Sequence, residues 1–432
     1  MRSFKMKFNP ANTKNGFLIL SWALYDLANQ FFALNIISLY FVRWLTLERG
    51  AAEILYSIAF GISTFFVAVL APVLGAISDI TGRRRIFLIY LTLLSIIFTM
   101  ILGVYKSIFL GLLFFVIANF GCQTATVFYN ALIVNITPKQ RIGLVSGFGK
   151  MMGYTGAIVA LYLIKPVVLK SGYQATFLPT GFLFLIFSLP CMLFIKDKQP
   201  VKEFYLSYFL KKDKLSEIFK TLKTTAFDTY KFPGLLNFLK SSFFGLCAVN
   251  AIILFMSVYA TRAFGLNESE VINLVTFSTF FAIAGSLFSG FISDYIGHKR
   301  CLSGIFLLWG ICFIAGAFVR SIHWYWLIGA LAGIALGSTW VVSRAMAVSI
   351  VPAERVGEVF GLFNLVGYLS AIIGALFWGG MLLLLSHLGE WGYRITLVSL
   401  TLFIVLGFVF LLRIPDVSLR NKNKVILWYR KV

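Results

Sequence analysis

Two uninterrupted apolar runs limit what this chain can become. Ile86 to Tyr105 runs twenty residues without a charge, and Ser107 to Pro138 runs thirty-two. A helix needs about twenty apolar residues to cross ~30 Å of hydrocarbon. Barrel strands alternate apolar and polar positions and are about half as long, so continuous runs predict helices. Charge supports this reading: 12% of residues are charged and 59% are hydrophobic, against about 25% charged in a soluble domain. Too few polar groups remain to cover a globule of this length. The expected fold class is an all-α membrane protein.

Apolar segments near 17–42, 53–77, 86–105, 107–136, 142–165, 174–195, 233–261, 268–292, 301–319, 324–350, 356–385 and 393–413 predict twelve transmembrane helices. An even number puts both termini on one side. Most of the 38 Lys and Arg residues fall in the N-terminus, the even-numbered loops, the 196–232 connection and the tail. That bias assigns these segments to the cytoplasm. The net charge of +22 therefore fixes topology, and no nucleic-acid partner is expected. The connection at 196–232 intersperses Phe209, Ile218, Phe219 and Leu222 among lysines. It reads as an amphipathic linker on an anionic inner leaflet, and the basic tail at 416–432 reads the same way. The expected domains are a six-helix bundle over 1–195, the linker, and a second bundle over 233–415. The N-terminus lacks the short apolar core and cleavage site of a signal peptide, so its first apolar segment reads as retained.

The halves repeat. Gly75, Asp79, Gly82 and the basic Arg83, Arg84 and Arg85 follow the second span; Gly290, Asp294, Gly297 and the basic His298, Lys299 and Arg300 follow the eighth. Arg141, Gly143 and Gly147 follow the fourth span, as Arg355, Gly357 and Gly361 follow the tenth. Two landmarks at one offset predict duplicated, pseudo-symmetric six-helix bundles. Gly75 and Gly290 are expected to let helices approach closely. Asp79 and Asp294 are expected to accept backbone N–H groups at a neighbouring helix start. Gly82 and Gly297 are expected to make tight turns, and the basic run to sit at the headgroups. Together they read as a gate.

This repeated motif resembles the cytoplasmic loop of the major facilitator superfamily. The first span from Ser21 to Ala33, with Phe128 to Leu132, Ser146 to Gly149 and Gly153-Tyr154, resembles its vacuole-effluxer-like branch, the autophagy-related amino-acid effluxers. The resemblance implies a central cavity between two bundles, lined by the first, fourth, seventh and tenth helices, and amino acids or similar solutes as substrates. Three positions depart from that branch: Lys150 replaces an aromatic residue, Leu246-Cys247 replaces an Asn-Asp pair, and Leu27 replaces a tryptophan.

Charges in hydrocarbon cost about 2.5–3.5 kcal/mol on insertion scales. Asp26 is read as the one acidic residue clearly inside a span; Lys150, Lys240 and Arg344 are read as the intramembrane cations. Asp26 and Arg344 are expected to face one polar cavity with Asn29, Asn130 and Asn250. There Arg344 holds a carboxylate, and Asp26 holds an ammonium group or exchanges a proton. The competing arrangement is a structural ion pair, either of these two residues or of Asp26 with Lys150. Lys240 is expected to snorkel. Cys122, Cys191, Cys247, Cys301 and Cys312 lack metal-ligand spacing and read as buried apolar thiols.

Gly149-Lys150-Met151 is not a Walker motif, no nucleophile–base cluster suggests an enzyme, and no repeated filter ring suggests a channel. The expected function is secondary active transport of a small organic solute by alternating access, with no cofactor and with proton coupling open. The alternatives are a non-transporting sensor or scaffold, or an exporter of drugs or siderophores. A bacterial inner membrane is expected from the compact loops, and the chain is expected to be a monomer.

Overall fold

The computed structural model describes residues 10–137, 142–197, 232, 234–351 and 356–415. Among them, twelve helices are long and apolar enough to cross a membrane. The first, α1, begins at Pro10–Phe32 and continues through π-helical turns at Ala33–Leu39 and Trp44–Glu48. Then follow α2 (Glu53–Thr81), α3 (Arg84–Leu102), α4 (Ile108–Ala131), α5 (Ile142–Ser171) and α6 (Phe177–Phe194). The second series is α7 (Leu235–Phe264), α8 (Glu268–Ile296), α9 (His298–Phe318), α10 (Ile322–Ile350), α11 (Val356–Leu384) and α12 (Glu390–Leu412). The first helix runs six residues beyond the expected 17–42. The apolar content drops after Phe41, but the helix carries Arg43 onward by burying it. The linker expected at 196–232 and the tail at 416–432 lie almost wholly outside the described residues.

Helix pairing repeats along with the sequence. In the first series α1 packs on α5 and α6, and α3 on α4 and α6. In the second, α7 packs on α11 and α12, and α9 on α10 and α12. Adding six to each label of the first set gives the second, which is how a duplicated bundle must pack. The chain forms two compact units, one of residues 1–44 and 69–211, the other of 45–68 and 212–432. Residues 45–68, which include the first half of α2, therefore pack with the second series.

Small residues set the helix spacing, because lipid tails give apolar faces little reason to associate and close backbone contact must do so. The tightest contact joins α8 and α10. A Cβ on Gly333 would lie 2.2 Å from the Ser278 carbonyl oxygen, and one on Gly337 2.0 Å from that of Ala282. In the first unit, a Cβ on Gly156 would lie 2.6 Å from the Leu27 carbonyl oxygen, bringing α5 onto α1. The expectation for Gly75 and Gly290 is corrected here. Among the described residues nothing lies within 4 Å of a Gly75 Cβ, and a Gly290 Cβ makes only ordinary contact with Val341 at 3.8 Å. Among the described residues the close approaches are made by other glycines, deeper in the helices. Gly82 and Gly297 behave as turn glycines, with φ of 67° and 94°.

Candidate functional site

Asp26 stands in α1, and its carboxylate is buried, with 5% of the side chain exposed. The Lys150 ammonium on α5 lies 3.1 Å from one carboxylate oxygen and 3.2 Å from the other. Lys150 is 47% exposed, so the pair joins a buried anion to a cation that reaches out of the packing. The local sequence explains the register. Gly156 seats α5 directly on the backbone of α1 at Leu27, and a Cβ on Gly149 would lie 2.5 Å from the Trp22 ring. A Cβ on Gly153 would lie 3.6 Å from the Asp26 carboxyl carbon and 3.8 Å from the Gln30 amide nitrogen. This glycine-lined approach brings Lys150 to the carboxylate.

An aromatic wall backs the pair. Trp22 stacks on Tyr129 with ring centroids 4.5 Å apart, and its indole N–H donates to the Tyr129 carbonyl at 3.0 Å. Tyr25 stacks on the same ring at 4.8 Å. The Thr92 hydroxyl donates to the Leu88 carbonyl, so the Tyr25 hydroxyl donates to Thr92, at 2.6 Å. The stacking, with the Trp22 and Tyr25 hydrogen bonds, holds α1, α3 and α4 in one arrangement, while the Tyr129 hydroxyl is buried without a hydrogen-bond partner. One turn from Asp26, Asn29 donates to Thr126 at 3.5 Å and accepts the Cys122 thiol at 3.8 Å.

The other expected site residues are placed as follows. Asn130 lies exposed in the last turn of α4. In the second unit Asn250 is half-buried and donates to Ser370 at 3.3 Å, and Arg344 is exposed on α10. Lys240 is exposed, its ammonium 5.4 Å from the centre of the Phe410 ring. All five cysteines are buried.

In the gate motif, Asp294 is exposed. The Asp79 side chain, Arg141 and Arg355 lie outside what is described. At the start of α3 the N–H acceptor is Asp197, and the motif supplies the donors. The Arg85 backbone N–H meets both Asp197 oxygens at 3.2 Å. The Arg85 side chain donates to the carbonyls of Met192 at 2.7 Å and Leu193 at 3.2 Å, at the end of α6. Arg84 donates to the Ala131 carbonyl at the end of α4. In the second unit Lys299 donates to the Ile414 carbonyl beyond α12, at 2.7 Å. The basic run thus caps helix C-termini, where the dipole favours cations by roughly 0.3–1 kcal/mol each. It does more than meet headgroups. Asp197 is only partly buried, yet burial still raises its carboxyl from its ordinary value, against the opposing pull of Arg85 and Arg84.

The sequence profile of the Major Facilitator Superfamily matches residues 27–267 and 238–427. The chain belongs to that superfamily. It is 27% identical over 422 residues to an uncharacterized transporter of the same type, YxiO, from Bacillus subtilis, covering 92% of this chain and 94% of the relative. Its fold is similar to a bacterial homologue of the human lysosomal transporter Spinster, with a TM-score of 0.70 at 15% identity, covering 94% of this chain and 98% of the other. It is also similar to the nucleoside transporter NupG, with a TM-score of 0.71 at 14% identity, covering 93% of this chain and 99% of the other. This superfamily member is a multi-pass membrane transporter, and its family and fold are not those of enzymes.

Four charged residues of this transporter escaped the sequence reading. Arg43 is buried within the long first helix, its guanidinium donating to the Tyr173 hydroxyl at 3.3 Å. Arg394 is buried in α12, where it donates to the carbonyls of Ala317 at 2.6 Å and Ala263 at 2.8 Å and pairs with Glu390 at 2.7 Å. Glu53 opens α2, and Arg262 lies in the last turn of α7. Asp26 is therefore not alone as an acid within the helices. All four sit at the expected span ends: Arg43 and Arg262 fall just outside 17–42 and 233–261, where only extra helical residues include them, and Glu53 and Arg394 open 53–77 and 393–413.

Proposed function

We propose that this transporter is a secondary carrier whose ionisable centre is the Asp26–Lys150 pair. It moves a small organic solute by alternating access. The observation that carries the reading is the contrast within the pair: a buried carboxylate held by a half-exposed ammonium 3.1 Å away. A proton or a cationic group of the solute competes with Lys150 for Asp26. An anionic group competes with Asp26 for Lys150. Desolvation makes each exchange sensitive to what else occupies the site. Asn29 adds a neutral acceptor one turn on, and Arg344, Asn130 and Asn250 are assigned to the solute's remaining polar groups.

The resemblance to vacuole-effluxer-like proteins supports amino acids or similar metabolites as the solute class. The proposed gate comprises Gly75, Asp79, Gly82, Arg83, Arg141 and their counterparts Gly290, Asp294, Gly297 and Arg355, with the turns at Gly82 and Gly297 as its joints. The basic bias of these loops supports both termini facing the cytoplasm, next to an anionic leaflet of a bacterial inner membrane.

The test is flux in proteoliposomes with a panel of amino acids and nucleosides, with and without a pH gradient. The expected result is saturable uptake of at least one amino acid, accelerated by the gradient. Nucleoside uptake alone would redirect the solute class. Flat signals throughout would favour a scaffold.

A further inference from the structure

In the second unit, the end of α12 is fastened to the start of α7. Asn237 of α7 donates to the Arg413 carbonyl at 3.3 Å, and a Cβ on Gly234 would lie 2.9 Å from the Ile414 side chain. This seam brings two cations to one ring. The Lys240 ammonium lies 5.4 Å from the centre of the Phe410 ring, and the Arg413 guanidinium 5.6 Å from it. Both side chains belong to exposed residues, and among the described residues neither forms an ion pair. A ring attracts a cation without neutralising it, so two like charges are left together at the edge of the hydrocarbon. An aromatic strip leads away from them. Phe244 of α7 stacks on Phe410 with centroids 5.7 Å apart, and Phe403 of α12 tilts against Phe244 at 6.4 Å. All three rings are half-buried and keep part of their surface open.

We propose that Lys240, Arg413 and this strip form a binding site for one anionic phospholipid. The lipid phosphate accepts hydrogen bonds from the ammonium and the guanidinium, and an acyl chain lies along Phe410, Phe244 and Phe403. The division of labour suits the residue types: the Arg413 fork matches two phosphate oxygens, and Lys240 supplies a mobile point charge. Cations set between helices at the headgroup level are the usual recognition element for such lipids. The charge and the rings together select the occupant. A soluble anion would meet the cations and leave the rings uncovered. A zwitterionic lipid would cover the rings but bring a third positive charge to the two already there. An anionic phospholipid does both, and it bridges the start of α7 to the end of α12.

The site involves neither Asp26 nor a solute, so its test needs no transport. Delipidated full-length protein in detergent is titrated with phosphatidylglycerol or with phosphatidylcholine, and bound lipid is counted by native mass spectrometry. The 196–232 connection and the basic tail are the same in every variant, so any lipid they hold cancels in the comparison. Lys240→Gln and Arg413→Gln are each expected to weaken the tightest phosphatidylglycerol by about fivefold, and the double variant by about twentyfold, the effect of one basic residue each at an anionic headgroup. Arg320→Gln removes an exposed cation at the far end of α9 and is expected to leave that binding unchanged. Phosphatidylcholine is expected to bind more weakly and to ignore all these substitutions, which also shows that the variants are folded. Should the double variant fail to fold, the two single variants carry the test. Parental phosphatidylglycerol affinity in the Lys240 and Arg413 variants, an equal loss in Arg320→Gln, or displacement of the lipid by millimolar inorganic phosphate would overturn the proposal.

Discussion

At the residue scale, Asp26 and Lys150 behave as one unit. Removing one partner strands the other charge, whereas removing both leaves a neutral contact. Lys150→Met is therefore expected to lower thermal stability more than the Asp26→Asn, Lys150→Met double variant does. The double-mutant cycle should show a coupling of roughly 1–3 kcal/mol in unfolding measurements; additive losses would mean the pair is not engaged. Asp197 gives a pH prediction of definite sign. Its folded-state value is raised, chiefly by burial, so folding favours the protonated form. The contribution is present below the unfolded range, about pH 3.9, and is lost as pH rises through the raised value. Asp197→Asn keeps an acceptor for the Arg85 N–H and drops the charge. Its melting temperature relative to the parent should climb as pH rises through that range, and a constant difference would contradict the assignment. Asp26 was legible in the sequence because a lone acid among apolar neighbours demands a reason. Its partner was legible only as one option of two, because 124 positions separate it from Lys150 and only the seating of α5 on α1 brings them together.

At the scale of elements, the glycines divide by what a methyl group would meet. Gly337→Ala pushes a Cβ into the backbone of α8 at 2.0 Å, and no side-chain rearrangement relieves that. A loss of about 1–3 kcal/mol is expected. Gly75→Ala meets open space among the described residues and should stay within about 0.5 kcal/mol. Parallel unfolding measurements on the two variants check the contrast; equal losses would contradict the packing described. Sequence reading chose the motif glycines because they repeat, yet repetition marked the turns at Gly82 and Gly297. The tight stripe on α10 was hidden, since glycine is common in membrane helices and its facing partner cannot be read from one helix. The caps made by Arg85 and Lys299 were hidden for a related reason. A basic residue after a span looks the same whether it meets a phosphate or a carbonyl.

At the scale of the molecule, long charge-free runs and a duplicated landmark were enough to read twelve helices and a repeated bundle. The reason is that hydrocarbon leaves the backbone few choices. The assignment of residues 45–68 to the second unit was not legible, because chain order alone places α2 with its neighbours. In the proposed account, transport by this superfamily member rests on one buried charge pair and its competition with proton and solute. The direct measurement is uptake driven by a pH gradient in proteoliposomes, comparing the parent with Asp26→Asn. The account predicts that Asp26→Asn loses gradient-driven accumulation by about tenfold or more, as removal of a charge-assisted interaction implies. Accumulation at the parental rate with the parental pH profile would contradict it.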